Sequence, residues 1–220
     1  EVASLSAQPT WDLQNVLSAI SEQRGSPCPR ARVYHGQAEL RGGARLSDVG
    51  VLDGSRLTLV KLHPLYIATA SQDNTVKIWC AASGEVLRTL LGHEDSVLSA
   101  VFSPDGQQLL TASDDCTAKL WSAASGECLR TLEGHREALW SASFAPDGQR
   151  LLTASLDGTA KLWSAASGEC LRTLQGHRGA LWSASFAPDG QRLLTASADG
   201  TAKLWSAASG ECLRTLEGHR

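Results

Sequence analysis

Histidine, threonine and aspartate recur in the 220-residue chain at spacings that could hold a nucleophilic relay. One set is His135, Thr153 and Asp157, with Trp163 close behind. An imidazole between a carboxylate and a hydroxyl is the chemistry of a catalytic triad, where the carboxylate orients the base and the base takes the hydroxyl proton. The set is not single. It returns as His93, Thr111, Asp115 and Trp121, and again as His177, Thr195, Asp199 and Trp205. A reaction needs one such cluster in one cleft, so repetition points to a structural part, not an enzyme.

Other chemistry finds equally little support. The six cysteines (Cys28, Cys80, Cys116, Cys128, Cys170 and Cys212) form no Cys-x-x-Cys pair, and the last three recur at one interval. They are expected to be positional copies carrying reduced thiols, with no zinc site or disulfide framework. No Gly-x-x-x-x-Gly-Lys-Ser/Thr loop is present. No cofactor or metal is therefore expected. The chain is 42% hydrophobic and 20% charged with a net charge of −3, an ordinary globular balance. That charge argues against nucleic acid as a partner, and no apolar run approaches the roughly 20 residues that span a bilayer. No basic-then-apolar signal segment opens the chain, so a soluble cytoplasmic or nuclear protein is expected. With no methionine and a start at Glu1, the sequence reads as a fragment or a processed chain.

The elements that must carry the repeated set follow a period. Trp79, Trp121, Trp163 and Trp205 are each 42 residues apart, as are His93, His135, His177 and His219. A period of about 40–45 residues is that of a propeller blade. Residues 134–175 and 176–217 differ only at Glu137/Gly179, Leu156/Ala198 and Gln175/Glu217. Within a unit, ALWSASF (138–144), LLTAS (151–155), TAKLW (159–163) and CLRTL (170–174) read as strands. Pro146-Asp147-Gly148, Asp157-Gly158 and Ser167-Gly168 supply the turns. A sheet of four short strands cannot bury both faces alone, so copies must stack.

GHREALWSASFAPDGQRLLTASLDGTAKLW (134–163) resembles a WD-repeat in its Gly-His start, Pro-Asp-Gly turn, Asp before the third strand and closing Trp. The resemblance covers residues 65–220. The Asp that often follows the Trp is replaced by Cys80, Ser122, Ser164 and Ser206. The family implies a mainly β fold of propeller blades: a partial unit at 65–91, whole units at 92–133, 134–175 and 176–217, and a further unit cut at 220. Propellers usually close with about 4–8 blades, so residues 63–220 are expected to be part of a longer propeller or an open arc that pairs. The resemblance also implies that each His, Thr, Asp and Trp set is a buried hydrogen-bond network bracing its blade.

Trp140 and Trp182 open the first strand of their units, where the preceding unit has Leu98. Each unit already owns a core Trp at the end of its third strand. By the resemblance, the position of Trp140, the residue two before it and the residue before the hairpin Asp lie on the narrow top face. Those positions are Gln72; Ser96, Leu98 and Asp114; Ala138, Trp140 and Leu156; and Ala180, Trp182 and Ala198. They are the expected partner-binding residues, and exposed Trp beside Leu and Ala is hot-spot composition.

Residues 1–62 obey a different rule. Leu13, Val16, Leu17 and Ile20 mark one face of a helix that Thr10 or Asp12 can cap and that Gly25 and Pro27 end. RVYHG (32–36) and RLTLVKL (56–62) read as strands, giving a small α+β unit. LQNVLSAISEQRGSPCP and LSDVGVLDGSRLTLVKL resemble the helix and the closing turn and strand of ubiquitin, with the first strand of that β-grasp fold absent. By this resemblance Val33 and Val60 fall at its apolar patch; as ordinary strand valines they need no function. LTLVKL can close this sheet or start the partial blade, and its spacing from Leu46-Ser47-Asp48 favours the first.

The expected function is a non-enzymatic scaffold whose propeller face binds proteins or peptides. The ubiquitin-like unit would link it to ubiquitin-pathway components. The alternative is a WD-repeat sensor array of a larger signalling protein whose effector domain lies outside these residues.

Overall fold

The computed structural model describes residues 15, 31–35, 38–40, 45–49, 57–61 and 66–218. Two compact units emerge, Glu1–Leu65 and Tyr66–Arg220. The helix expected on Leu13, Val16, Leu17 and Ile20 lies outside the described residues. So does the cap at Thr10 or Asp12.

In the first unit, β1 (Ala31–His35) is flanked by β2 (Ala38–Leu40) and β3 (Leu57–Lys61) in the order β2-β1-β3. Both pairings are antiparallel, with Val33 opposite Leu40 on one side and Leu59 on the other. β1 and β3 coincide with the β-branched and aromatic runs RVYH and LTLVK, whose side chains suit a pleated surface. Val33 stands on β1 and Val60 on β3, where Val60 pairs with Arg32. A 3-10 turn at Leu46–Val49 buries Leu46.

The second unit is a series of antiparallel sheets, each built from consecutive strands. The first blade has β4 (Tyr66–Ala70), β5 (Val76–Cys80) and β6 (Val86–Leu90) in one three-stranded sheet, while β3 pairs with β1. The second blade runs β7 (Val97–Phe102), β8 (Gln108–Ser113), β9 (Ala118–Ser122) and β10 (Cys128–Leu132). The third runs β11 (Leu139–Phe144), β12 (Arg150–Ser155), β13 (Ala160–Ser164) and β14 (Cys170–Leu174). The fourth repeats it with β15 (Leu181–Phe186), β16 (Arg192–Ser197), β17 (Ala202–Ser206) and β18 (Cys212–Leu216). These strands fall within a residue of the segments read from the pattern. The turns are tight: the Gly148 N–H donates to the Ala145 carbonyl at 2.9 Å, and Gly158 holds φ at 77°.

The core lies between blades. Leu151 and Leu152 are adjacent, so the two-residue period of a strand sends them to opposite faces. Leu151 and Trp163 pack with Leu110, Leu120 and Leu132 of the second blade. Leu152, Leu162 and Leu174 pack with Leu181, Leu193 and Trp205 of the fourth. Val76, Ile78 and Leu90 of the first blade meet Val97, Leu109 and Trp121 of the second in the same way. Each such buried side chain is worth about 1.5–3 kcal/mol, which no blade gains without a neighbour.

Candidate functional site

Beneath one end of the second, third and fourth blades lies the polar cluster that suggested a triad. In the third blade, His135 Nδ1 lies 2.9 Å from Asp157 Oδ2, and Nε2 lies 2.8 Å from Thr153 Oγ1. The Trp163 indole donates to the same Oγ1 at 2.9 Å. The second blade repeats the chain through His93, Asp115, Thr111 and Trp121, and the fourth through His177, Asp199, Thr195 and Trp205. A carboxylate only accepts, so Nδ1 carries the proton toward Asp157 and Nε2 accepts from the threonine hydroxyl. The hydroxyl oxygen is then free to accept from the indole. Every polar atom has a role, and among the described residues no buried side-chain nitrogen or oxygen lacks a partner.

The electrostatics favour a fixed network over a working base. Burial pushes the His93 and His135 imidazoles below their usual range, against the opposing pull of Asp115 and Asp157. Burial alone would raise the Asp157 carboxyl, but hydrogen bonds from Thr159, the Arg136 backbone and His135 outweigh it and lower it to about 2. The threonine hydroxyls are fully buried or nearly so, at 0% exposure for Thr111 and Thr153 and 1% for Thr195. None of these three hydroxyls is open to solvent.

Just outside this cluster, the expected face residues are drawn together blade by blade. The Leu156 N–H donates to the Ala138 carbonyl, the Asp114 N–H to Ser96 and the Ala198 N–H to Ala180, all at 2.8–2.9 Å. The Val97 N–H donates to Ser71, which joins the turn carrying Gln72 to the second blade. Trp140 is 43% exposed and Trp182 45% exposed, and their rings meet edge to face with centroids 4.8 Å apart. Leu98, Ser96, Asp114, Ala138, Leu156 and Ala180 are half-buried, while Gln72 and Ala198 are exposed. A separate groove of about 560 Å³ lies at the opposite ends of β7 and β11, between the Pro104 and Pro146 turns, away from the tryptophans.

The WD domain, G-beta repeat family matches residues 53–80, 84–122, 126–164 and 168–206. The chain belongs to the WD-repeat family. Among its relatives, nuclear distribution protein PAC1 of Cryptococcus neoformans var. neoformans is 46% identical over 52 residues, covering 24% of this chain and 12% of the relative. F-box/WD repeat-containing protein sel-10 of Caenorhabditis elegans is 39% identical over 53 residues, 24% of this chain and 9% of the relative. Human coronin-7 is 35% identical over 85 residues, 36% of this chain and 9% of the relative. The chain thus spans about a tenth of the length of these relatives. The first WD match begins at residue 53 and takes in β3, which the structure pairs with β1.

Within these WD blades, one feature of the face escaped the sequence reading. Leu139 pairs with Ser155 but Ser141 pairs with Ala154, so Trp140 is the extra residue of a β-bulge. Leu98 and Trp182 occupy the same bulge in their blades. A bulge breaks the in–out alternation and re-aims one side chain. This is why Leu139 can be fully buried while Trp140, its neighbour, is turned to solvent. The trace was present in the apolar spacing: Leu139, Ala142 and Phe144 stand three and then two apart, which a regular strand does not allow on one face.

Proposed function

We propose that the chain is a non-enzymatic interaction scaffold that binds a protein or peptide on the face carrying Trp140 and Trp182. The observation that carries this reading is the exposed tryptophan pair. An aromatic pair is worth about 0.5–1.5 kcal/mol beyond its burial, so the rings hold each other as a preformed platform. Leu98, Leu156 and Ala198 extend the apolar surface, and Gln72, Ser96, Asp114, Ala138 and Ala180 edge it. The bulges tether both indoles to blade backbones, which limits the entropy lost on binding. The three repeated His-Thr-Trp-Asp networks serve as rigid support beneath it.

Pull-down with the wild-type chain against Trp140→Ala/Trp182→Ala, followed by mass spectrometry, tests this reading. Partners should be lost at a cost of about 2–4 kcal/mol in affinity, while the unfolding midpoint stays near wild type. Unfolding as the main phenotype, or undiminished capture, would remove the tryptophans from the face.

The first unit adds a second, pathway-level reading: a ubiquitin-like module that hands a bound client to ubiquitin-pathway components. It is supported by the sheet order β2-β1-β3 and by the 3-10 turn at the Leu-Ser-Asp run before the last strand. The sel-10 relative, an F-box/WD repeat-containing protein, also combines WD repeats with something else, an F-box. Ubiquitin-pathway proteins that depend on residues 1–62 in the same pull-down would support it. Dependence on residues 66–218 alone would leave the sensor-array reading in its place.

A further inference from the structure

The strands β4, β8, β12 and β16 open on Tyr66, Gln108, Arg150 and Arg192, equivalent positions 42 residues apart. In the third blade this residue spans the junction to the fourth. Arg150 Nη2 donates to the Gly190 carbonyl at 2.9 Å and to Asp147 Oδ2 at 3.3 Å. Its guanidinium also lies 5.7 Å from the centroid of the Phe186 ring. Gly190 and Ala207 are buried there, and a side chain begun at Gly190 would meet Arg150 Nη2 at 3.3 Å. At the first junction Tyr66 takes the same part: its ring lies 6.3 Å from that of Phe102, the counterpart of Phe186.

The middle junction differs. Gln108 is shorter and uncharged, and its side chain makes no hydrogen bond among the described residues. Phe144, the counterpart of Phe102 and Phe186, has neither an aromatic ring nor a guanidinium over it among the described residues. Gly148 and Ala165 are half-buried where Gly190 and Ala207 are buried. A side chain begun at Gly148 would meet nothing nearer than Pro104, at 3.9 Å. This is the groove of about 560 Å³, and its lining includes Gln108, Asp105, Asp147 and Gly148 but no basic residue. Asp105 Oδ1 accepts from the Ser103 hydroxyl at 2.6 Å and the Gln107 N–H at 2.9 Å. Asp147 Oδ1 likewise accepts from the Gln149 N–H at 2.8 Å, which leaves its Oδ2 for Arg150. Asp105 Oδ2 is the matching atom, and no arginine of this chain reaches it.

We propose that this groove binds an arginine side chain of a protein partner, at a site apart from the tryptophan face. The guanidinium donates to the Gly148 carbonyl and to Asp105 Oδ2 and lies over the Phe144 ring. Those are the three contacts that Arg150 makes one junction further on. Arginine suits the place better than lysine, because its planar fork serves two acceptors while its face stays free for the ring. The carboxylate makes the bonds charge-assisted. The volume falls within the roughly 300–1,000 Å³ of ligand pockets, enough for the side chain with some flanking backbone. Both blades that form the groove have a neighbour on either side, so its shape does not depend on where the series of blades starts or stops.

Titration of the nitrogen-15-labelled chain with the peptide acetyl-Ala-Arg-Ala-amide, followed by amide correlation NMR, tests it. Saturable shifts should appear at the Gly148 and Gln107 amides. The same peptide with citrulline, which keeps the shape and loses the charge, should bind about tenfold more weakly or worse. The lysine peptide should also bind more weakly than the arginine one. Gln108→Arg gives the second blade the side chain that the third already carries, so the variant should fold. Its own guanidinium then fills the groove, and the arginine peptide should lose about tenfold or more in affinity. Asp105→Asn, an exposed change, should weaken the peptide severalfold and serves should the first variant fail to fold. Absence of shifts at Gly148, citrulline or lysine peptides that bind as well as arginine, or unchanged affinity in Gln108→Arg would overturn the proposal. Trp140→Ala/Trp182→Ala should bind the peptide as wild type does, so failure of one site is read apart from failure of the other; a loss there would move the peptide to the tryptophan face and equally defeat the groove.

Discussion

The third and fourth blades are nearly one sequence in two environments. Their 42-residue units differ at three positions, yet Leu152 and Leu174 are sealed while Leu194 and Leu216 are 40% and 44% exposed. Leu162 is buried and Leu204 half-buried. The leading faces do not diverge in this way: Leu151 and Leu193 are both at 0%, and Trp163 and Trp205 are at 1% and 2%. The difference shows that burial here belongs to the junction and not to the blade. The same LLTAS strand is core or surface according to what stands after it.

The largest effect should separate the two copies outright. Leu152→Ala removes a side chain from a closed junction and should cost about 2–5 kcal/mol. Leu194→Ala, the same change at the same register, should cost about 1 kcal/mol or less in a monomer. Urea unfolding followed by tryptophan fluorescence reads both. Equal losses at low concentration would break the comparison.

The polar brace should resist the comparison, because its geometry is the same in both blades. Thr153→Val keeps the shape but leaves the His135 Nε2 and the Trp163 indole without partners, for a loss of about 2–4 kcal/mol. Thr195→Val should lose a similar amount. A small loss at Thr195 beside a large one at Thr153 would mean that the open face loosens the network too.

The pH dependence follows from the lowered pKa values. His93 and His135 are held below 6.5 when folded, so the unfolded chain takes up their protons first as pH falls. Their stabilisation is complete above about pH 6.5 and is lost below it, at no more than about 1.4 kcal/mol per pH unit for each histidine. Asp157, lowered from 3.8 to about 2, adds a second loss as pH falls through that interval. Melting temperatures measured from pH 7.5 to 5 should therefore fall before the carboxylates titrate, and His135→Gln should flatten that early slope. A flat profile in wild type would mean that the imidazoles bind protons equally in the folded and unfolded chain.

Much of this was legible in the residues. The strands of each blade follow from LLTAS, AKLW and CLRTL with their Gly-containing turns, and the brace from the repeated His, Thr, Asp and Trp. The place of the bulge is not legible from strand alternation, because a period of two along 139–144 does not mark Trp140 as an extra residue; the register with the next strand does. The different burial of Leu152 and Leu194 was hidden for another reason. Leu194 and Leu152 have the same neighbours in sequence, so only the three-dimensional stack tells them apart. In the first unit, LTLVK can also be read as the edge of a blade; its spacing from Leu46-Ser47-Asp48 favours the first-unit sheet, where it pairs with β1.

The smallest effect tests whether the hairpin before the third strand is interchangeable between blades. Gly158 and Gly200 turn it at φ of 77° and 82°, but the second blade places Cys116 there at φ of 66°. A side chain in the left-handed region costs about 1–2 kcal/mol, because its Cβ crowds the backbone. Cys116 packs partly against the cluster between the second and third blades, which offsets some of that strain. Cys116→Gly should therefore be neutral to stabilising by about 1 kcal/mol, whereas Gly158→Cys should destabilise. A loss of stability in Cys116→Gly would mean that the thiol's packing at the junction outweighs the strain, and that this hairpin too takes its energetics from the neighbouring blade.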